Sequence, residues 1–329
     1  MAGDLDVVGI GNALVDVIAR VDDAFVSEHG LVKGSMCLLD AERAESLQRA
    51  MGPGVERSGG SAANTLAGLA SMGGRGAFIG RVGDDDLGRV FADDVRAAGV
   101  AFSTVPAGDG APTGRCLVAV TPDAERTMST LLGAAAELGP DDVDESVVAS
   151  AAVTYLEGYL FEQDRARLAF DRAASAAAGA GRLVALTLSD SWCVDRSQAE
   201  FLAFVESSVD LLFANEDELR LLYGTDDADE ALARAQRHCQ VVALTRGAAG
   251  STVVAGGRRH PVAAEAVTEV VDTTGAGDLY AAGFLYGFTR GYDAPTCGRL
   301  GAMAAAEVIS HLGARPHTPL AELVAPLLG

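Results

Sequence analysis

Seven short apolar runs alternate with helical stretches along most of the 329-residue chain. The runs read as strands at 6–10, 77–82, 153–157, 183–188, 211–214, 241–245 and 251–255. Helical patterns cover 41–51, 62–72, 87–98, 163–180, 197–207, 216–223 and 229–239, and 276–290 and 294–310 close the chain. Parallel strands need crossovers, and a helix in each crossover covers a face of the sheet. The pattern therefore predicts a three-layer α/β/α body around a central, mostly parallel sheet. Other segments break the alternation. Residues 15–21 and 35–40 read as short strands, and 113–121 with 126–132 as a hairpin around Pro122-Asp123. They predict a small β lid spliced in at about 13–40 and 103–132, within one domain spanning 1–329. Its expected place is over a site at the strand C-terminal ends.

Charge and composition exclude several classes of function. There are 25 basic and 46 acidic side chains, a formal net charge of −21. A general nucleic-acid surface needs a basic face, although one local anion pocket is compatible with this balance. No window approaches the ~20 uninterrupted apolar residues of a membrane helix. Residues 1–11 carry two Asp and no basic residue. A signal peptide needs a positive start, so the expected compartment is the cytoplasm. Lys33 is the only lysine, and Gly34 follows it rather than preceding it. A Walker A loop requires Gly-Lys-Ser/Thr, which removes the P-loop NTPases. A protein-kinase V-A-I-K strand is absent as well. The five cysteines lie far apart and the five histidines are scattered. That spacing predicts reduced, packed thiols and no protein-held transition metal.

The sharpest chemical signal is Val271-Asp272-Thr273-Thr274-Gly275-Ala276-Gly277-Asp278, followed by an apolar helical segment. Backbone N–H groups at a helix start are unpaired, and the macrodipole favours an anion there. Gly275 and Gly277 let a phosphate approach the backbone. Asp278, in the first turn, can take the proton of a hydroxyl attacking phosphorus. A glycine-rich helix start whose Asp only complements the dipole is the structural alternative. The second signal is Arg57-Ser58-Gly59-Gly60-Ser61-Ala62-Ala63-Asn64. Gly59 and Gly60 would bring amides to a ligand, with Ser61 beside them, and Asn64 offers a donor and an acceptor. Here the alternative is an ordinary helix capped by Ser58 or Ser61. The third is Gly9-Ile10-Gly11-Asn12-Ala13-Leu14-Val15-Asp16. Leu14 stands where a dinucleotide fingerprint needs glycine. A strand end carrying Asn12 and Asp16 into a cleft is the better reading, since one carboxylate can hold two adjacent sugar hydroxyls. Three weaker signals remain. Asn215-Glu216-Asp217-Glu218 opens a helix and serves either the dipole or Mg²⁺ held through water. Thr245-Arg246-Gly247 is either a phosphate contact or a plain turn. Trp192, the only tryptophan, is either core or a stacking platform.

In this order the motifs resemble the ribokinase-like (PfkB) family of ATP-dependent small-molecule kinases, over nearly the whole chain. Gly59-Gly60-Ser61 through Asp84 and Gly88 matches the family's N-terminal signature, the 272–278 run its C-terminal one, and Asn215 to Glu218 its NxxE motif. The resemblance implies a ribokinase-like α/β body with a β lid, ATP and Mg²⁺ as cofactors, and Asp278 as general base. It also implies 275–277 as the anion hole, through Gly275, Ala276 and Gly277, and Glu218 in the Mg²⁺ network. Within the family the chain is similar to the adenosine kinase branch, through 11–16, 155–159, 186–189 and 210–216. That branch implies transfer of the γ-phosphoryl of ATP to the 5′-hydroxyl of adenosine. Asp16 and Asn64 would hold ribose hydroxyls, with Asn12, Gly59, Gly60 and Ser61 around them. Arg126 would point from the lid toward the transferred phosphate. Tyr159, Trp192, Met36 and Met128 would line the base pocket. Asn215, Thr245, Arg246, Gly247 and Thr274 would face the nucleotide, and a monovalent cation such as K⁺ would sit near the 272–275 turn. Ser61 stands where ribokinase has Lys, Thr274 where adenosine kinases usually have Asn, and Met36 where a Gln often contacts the base. Guanosine, inosine or a ribokinase- or fructokinase-type sugar are the alternative acceptors. A monomer or homodimer acting on a small molecule, with neither nucleic acid nor membrane as partner, completes the expectation.

Overall fold

The central strands of the body bury both of their faces, and neighbouring residues enter different cores. Val7, Val153, Tyr155, Ala185 and Phe213 belong to one apolar cluster; Val8, Ile10, Leu156, Leu186 and Leu212 belong to another. Side chains alternate across a strand, so one apolar run supplies two cores and a three-layer body results. In the computed structural model, residues 4–108, 110–123 and 125–328 are described. Residues 1–3, Asp109, Ala124 and Gly329 lie outside them, so parts of the expected 1–329 domain and 103–132 lid segment are not covered.

The strands are β1 (Leu5–Ile10), β2 (Leu14–Arg20), β3 (Met36–Leu38), β4 (Val55–Gly59), β5 (Gly76–Ile79), β6 (Val100–Phe102) and β7 (Gly114–Val120). They continue as β8 (Arg126–Leu131), β9 (Ala151–Glu157), β10 (Leu183–Thr187), β11 (Leu211–Asn215), β12 (Val241–Thr245), β13 (Ser251–Ala255) and β14 (Arg258–Val262). Among the described residues, nine strands form one sheet in the order β14-β13-β12-β11-β10-β9-β1-β5-β6. Every pairing from β12 to β6 is parallel, while β13 and β14 add antiparallel strands at one edge. A five-stranded sheet, β3-β8-β7-β2-β4, stands beside it. Its β7–β8 pair is the hairpin read at Pro122-Asp123.

The small sheet gains a strand that the sequence pattern hides. Val55-Glu56-Arg57 is exposed and does not alternate, yet β4 pairs antiparallel with β2, Leu14 opposite Gly59. The small sheet thus draws its strands from three stretches of chain. The 197–207 helix is also preceded by a separate short one, Ser191–Arg196, which carries Trp192. One packing contact positions the site. Helices Ser61–Ser71 and Ala276–Thr289 meet at Gly68, where a Cβ would lie 2.5 Å from Leu279 Cδ1 and 2.8 Å from Ala282 Cβ. That approach brings the starts of the two helices together. No helix among the described residues is long and apolar enough to cross a membrane.

Candidate active site

A cavity of about 710 Å³ opens where the ends of β1, β9, β10, β11 and β12 face the small sheet. The two helix starts form its floor. Asp278 Oδ1 accepts the Ser61 hydroxyl at 2.6 Å, and Oδ2 accepts Asn64 Nδ2 at 3.0 Å. Burial pushes the Asp278 carboxyl above the ordinary carboxylate range, while the Ser61 and Asn64 bonds and the charge of Arg315 pull it back. Gly275 begins the helix with φ 81°, and no side chain among the described residues caps it. Ala276 N donates to Thr273 O at 3.1 Å, so within this turn it is the Gly275 and Gly277 amides that can face an anion. A Cβ on Gly277 would meet nothing within 4 Å, so the space beside that amide is open. The alternative reading of the other helix, a cap by Ser58 or Ser61, is not what forms. Gly60 begins it with φ 93°, Ser61 turns to Asp278, and Ser58 turns to Asp94.

Asp16 enters from β2. Burial raises its carboxyl to about 6, opposed by Arg126 and Arg315 and assisted by the charge of Asp278. Asn12 and Asn64, 3% and 6% exposed, both line the cavity, and each keeps an Oδ1 without a partner among the described residues. Orphaned buried acceptors suit the hydroxyl donors of a ligand. Glu157, at the end of β9, was not singled out from the sequence. Its Oε1 accepts Asn12 Nδ2 at 2.8 Å and its Oε2 accepts Ala62 N at 2.9 Å. Burial pushes it to about 7 despite those bonds. The available signal was an acidic residue closing an apolar strand, at the sheet end where α/β sites collect.

Arg126 reaches down from β8, pairs with Asp272 and donates to Thr274 Oγ1 at 3.3 Å. Asp272 Oδ1 also accepts Thr274 N and Oγ1, at 2.9 and 2.6 Å, and its Oδ2 accepts Gly313 N at 2.9 Å. Desolvation opposes ionisation there, but these bonds and Arg126 win and hold the carboxyl below its usual range. Four donors, one of them a guanidinium, saturate this carboxylate. A monovalent cation near the 272–275 turn would therefore have to be held by groups other than the Asp272 carboxylate. Glu218 and Asn215 cap their helix reciprocally: Glu218 accepts Asn215 N at 2.9 Å and Nδ2 at 2.7 Å. Burial raises Glu218 to about 7. Each of its oxygens keeps a second lone pair and the residue lines the cavity, so a Mg²⁺ reached through water fits.

Met36, Met128, Tyr159, Trp192, Thr245, Thr274 and Ala276 all join the cavity wall. Trp192 is 42% exposed, with Arg196 4.6 Å over its ring, which excludes the core reading. Three expected contacts lie outside the wall. Gly59 sits behind Asp16, 2.7 Å from its carboxylate if a Cβ is added. Arg246 turns to Glu216 and Thr252, at 2.8 and 2.7 Å. Gly247 lies in an exposed turn with φ 53°. Edge pairing explains Arg246: β13 brings Thr252 beside it.

A buried carboxylate between two donors, a glycine-lined helix start and a polar recess suit a phosphotransferase with an alcohol acceptor. Residues 7–321 match the pfkB family of carbohydrate kinases, and the chain belongs to that family. Kinases of this family use ATP, typically with Mg²⁺. The adenosine kinase of Sinorhizobium meliloti is 51% identical, covers 100% of both chains and superposes with a TM-score of 0.91. A probable sugar kinase of Rhizobium etli CFN 42 is 48% identical over 99% of each chain, with a TM-score of 0.92. The 5-dehydro-2-deoxygluconokinase of Shouchella clausii is 28% identical over 277 residues, 81% of this chain and 85% of that protein.

Proposed function

We propose that the enzyme transfers the γ-phosphoryl of ATP to the 5′-hydroxyl of adenosine, giving AMP and ADP, in the cytoplasm and in purine salvage. The observation that carries the choice of acceptor is the full-length, 51% identity to an adenosine kinase. Asp278 takes the 5′-hydroxyl proton as the new P–O bond forms and the bond to ADP breaks. Ser61 and Asn64 aim its two oxygens. The N–H groups of Gly275 and Gly277 face the phosphoryl oxygens as they gain charge, in a turn that the Ala276 N–H bond to Thr273 O holds fixed before reaction. Asp16 accepts the vicinal ribose hydroxyls, with the free Oδ1 atoms of Asn12 and Asn64 as further acceptors. Tyr159, Trp192, Met36 and Met128 wall the base. Asn215, Thr245 and Thr274 line the nucleotide side, and Arg126 moves to the transferred phosphate when the lid closes and excludes water. Mg²⁺, when bound, would neutralise phosphate charge, with Glu218 holding it through water.

A sugar acceptor is the second reading, favoured by the 48%-identical probable sugar kinase. Initial rates with ATP and Mg²⁺ on adenosine, guanosine, inosine, ribose and fructose decide. Adenosine should give the highest kcat/KM. Turnover of a sugar with none of any nucleoside would overturn the acceptor while leaving the roles of Asp278 and the 275–277 turn standing.

A further inference from the structure

Beyond the helix Ala294–Val308, the stretch 313–315 runs under both halves of the site. Gly313 N donates to Asp272, as above. Ala314 packs against the anion-hole turn, its Cβ 2.8 Å from where a Cβ on Gly275 would stand. Arg315 then crosses to the other motif, its Nη2 donating to Ser58 Oγ at 2.8 Å and to Ser58 O at 3.3 Å. Ser58 is 3% exposed and is fixed in turn, its N and Oγ both donating to Asp94 Oδ2 at 2.8 Å. Three residues further on, Ser61 holds Asp278.

The guanidinium faces the charges of Asp94, Asp16 and Asp278. Around Asp278 stand Asp16 from β2, Glu157 and Tyr155 from β9, and Tyr159 just beyond it, all of which feel its charge. None of these is a cation. Ser61 and Asn64 are neutral donors. Arg126 is paired with Asp272. Arg315 is the cation that acts on Asp278.

We infer that Arg315 is a positioning residue for the base: tethered through Ser58, it fixes the bend that carries Ser61, and its charge keeps Asp278 a carboxylate in a desolvated site. This rests on the proposed role of Asp278 as base. An opposite charge nearby favours the charged form of a carboxyl, and the acid limb of kcat reports the base in the bound complex. Removing the charge should therefore move that limb to higher pH.

The test is the pH profile of kcat for Arg315→Gln, which can still donate to Ser58, and for Arg315→Lys, which keeps the charge. Rates are taken between about pH 5.5 and 9, with ATP, Mg²⁺ and a saturating concentration of the best acceptor in the panel, so that binding by Asp16 drops out. Arg315→Gln should lose about fivefold or more in kcat near pH 6 and less than about twofold near pH 9. Arg315→Lys should track the wild type throughout. A Gln profile parallel to wild type, with the same fractional loss at every pH, overturns the inference and leaves Arg315 a packing residue. If Arg315→Gln does not fold, Arg315→Met replaces it under the same criterion. If neither folds, the charge belongs to folding and the inference is overturned. Asp278→Asn, assayed alongside, separates the two ideas. Near-normal turnover there removes the base itself, while its loss together with a parallel Gln profile removes only the role of Arg315.

Discussion

Gly60 and Gly277 stand at the starts of the two helices that meet at Asp278, and each is glycine for a different reason. At Gly60 the backbone has φ 93°, and a Cβ would run into the Asn12 carbonyl. The protein's own packing excludes a side chain there. At Gly277 φ is not in the left-handed region, and a Cβ would meet nothing within 4 Å. Any side chain there would take up space that only a ligand uses. One glycine is required by the fold; the other is not, and its open flank suits the proposed phosphoryl contact. The same contrast runs through the polar groups: Ser58 is spent on Asp94, whereas Ser61 is spent on the candidate base.

The largest effect expected is at the group where the two turns meet. Asp278→Asn should lower kcat by about 10²–10⁴-fold with the fold retained, the range for a general base. A rate within about threefold of wild type would mean that the turns do not converge on a base at all. Next come the glycines themselves. Gly277→Val should cost about a hundredfold or more in turnover, as loss of preorganised donors does, with a melting temperature within a few degrees of wild type. Gly60→Val should instead yield little folded protein, because strain and collision act together. Thermal melts of both variants check this, and unfolding of Gly277→Val would erase the distinction.

A smaller effect sharpens the division on the substrate side. Trp192→Ala should raise KM for adenosine about tenfold, since base stacking is worth ~1–3 kcal/mol. KM for ribose should barely change. Equal penalties on both acceptors would make Trp192 a wall of the cavity and no more. The smallest effect concerns a buried carboxylate whose proposed role is to hold the acceptor. Asp16 titrates near 6 rather than its ordinary 3.8, chiefly through burial. The folded state then binds the proton more tightly than the unfolded chain, so stability falls as pH rises from about 4 through 6 and the loss persists above. Asp16→Asn should therefore melt about 2 °C higher than wild type at pH 8, the gap closing toward pH 4, while KM for the acceptor rises. Melting curves at the two pH values check the sign.

Much of the body could be read along the chain. Buried parallel strands are nearly continuous apolar runs, so β1, β9, β11 and β12 announce themselves. Asp278, the 275–277 turn, Asn64 and Asp16 were visible because helix-start chemistry is local, set by residues a few positions apart. Edges were harder to read. β4 and β14 carry Glu56, Arg57, Arg258 and Arg259, and become strands because β2 and β13 offer them open edges. Arg246 illustrates the converse, since a cation in a plausible phosphate motif is taken by Glu216 and Thr252.

By itself, then, the sequence determined the alternating architecture and the two glycine turns, and it marked Asp278 as the candidate base. All of these follow from periodicity and backbone conformation, which act over a few residues. Tertiary structure alone decided which carboxylates lie together without water, and hence the raised values of Asp16 and Glu157. It alone put Arg126 on Asp272 and so occupied that carboxylate. It alone carried Arg315 across 257 positions of sequence to Ser58. Desolvation and charge pairing depend on distance in space, and residues far apart in the chain leave no local pattern to mark that they will meet.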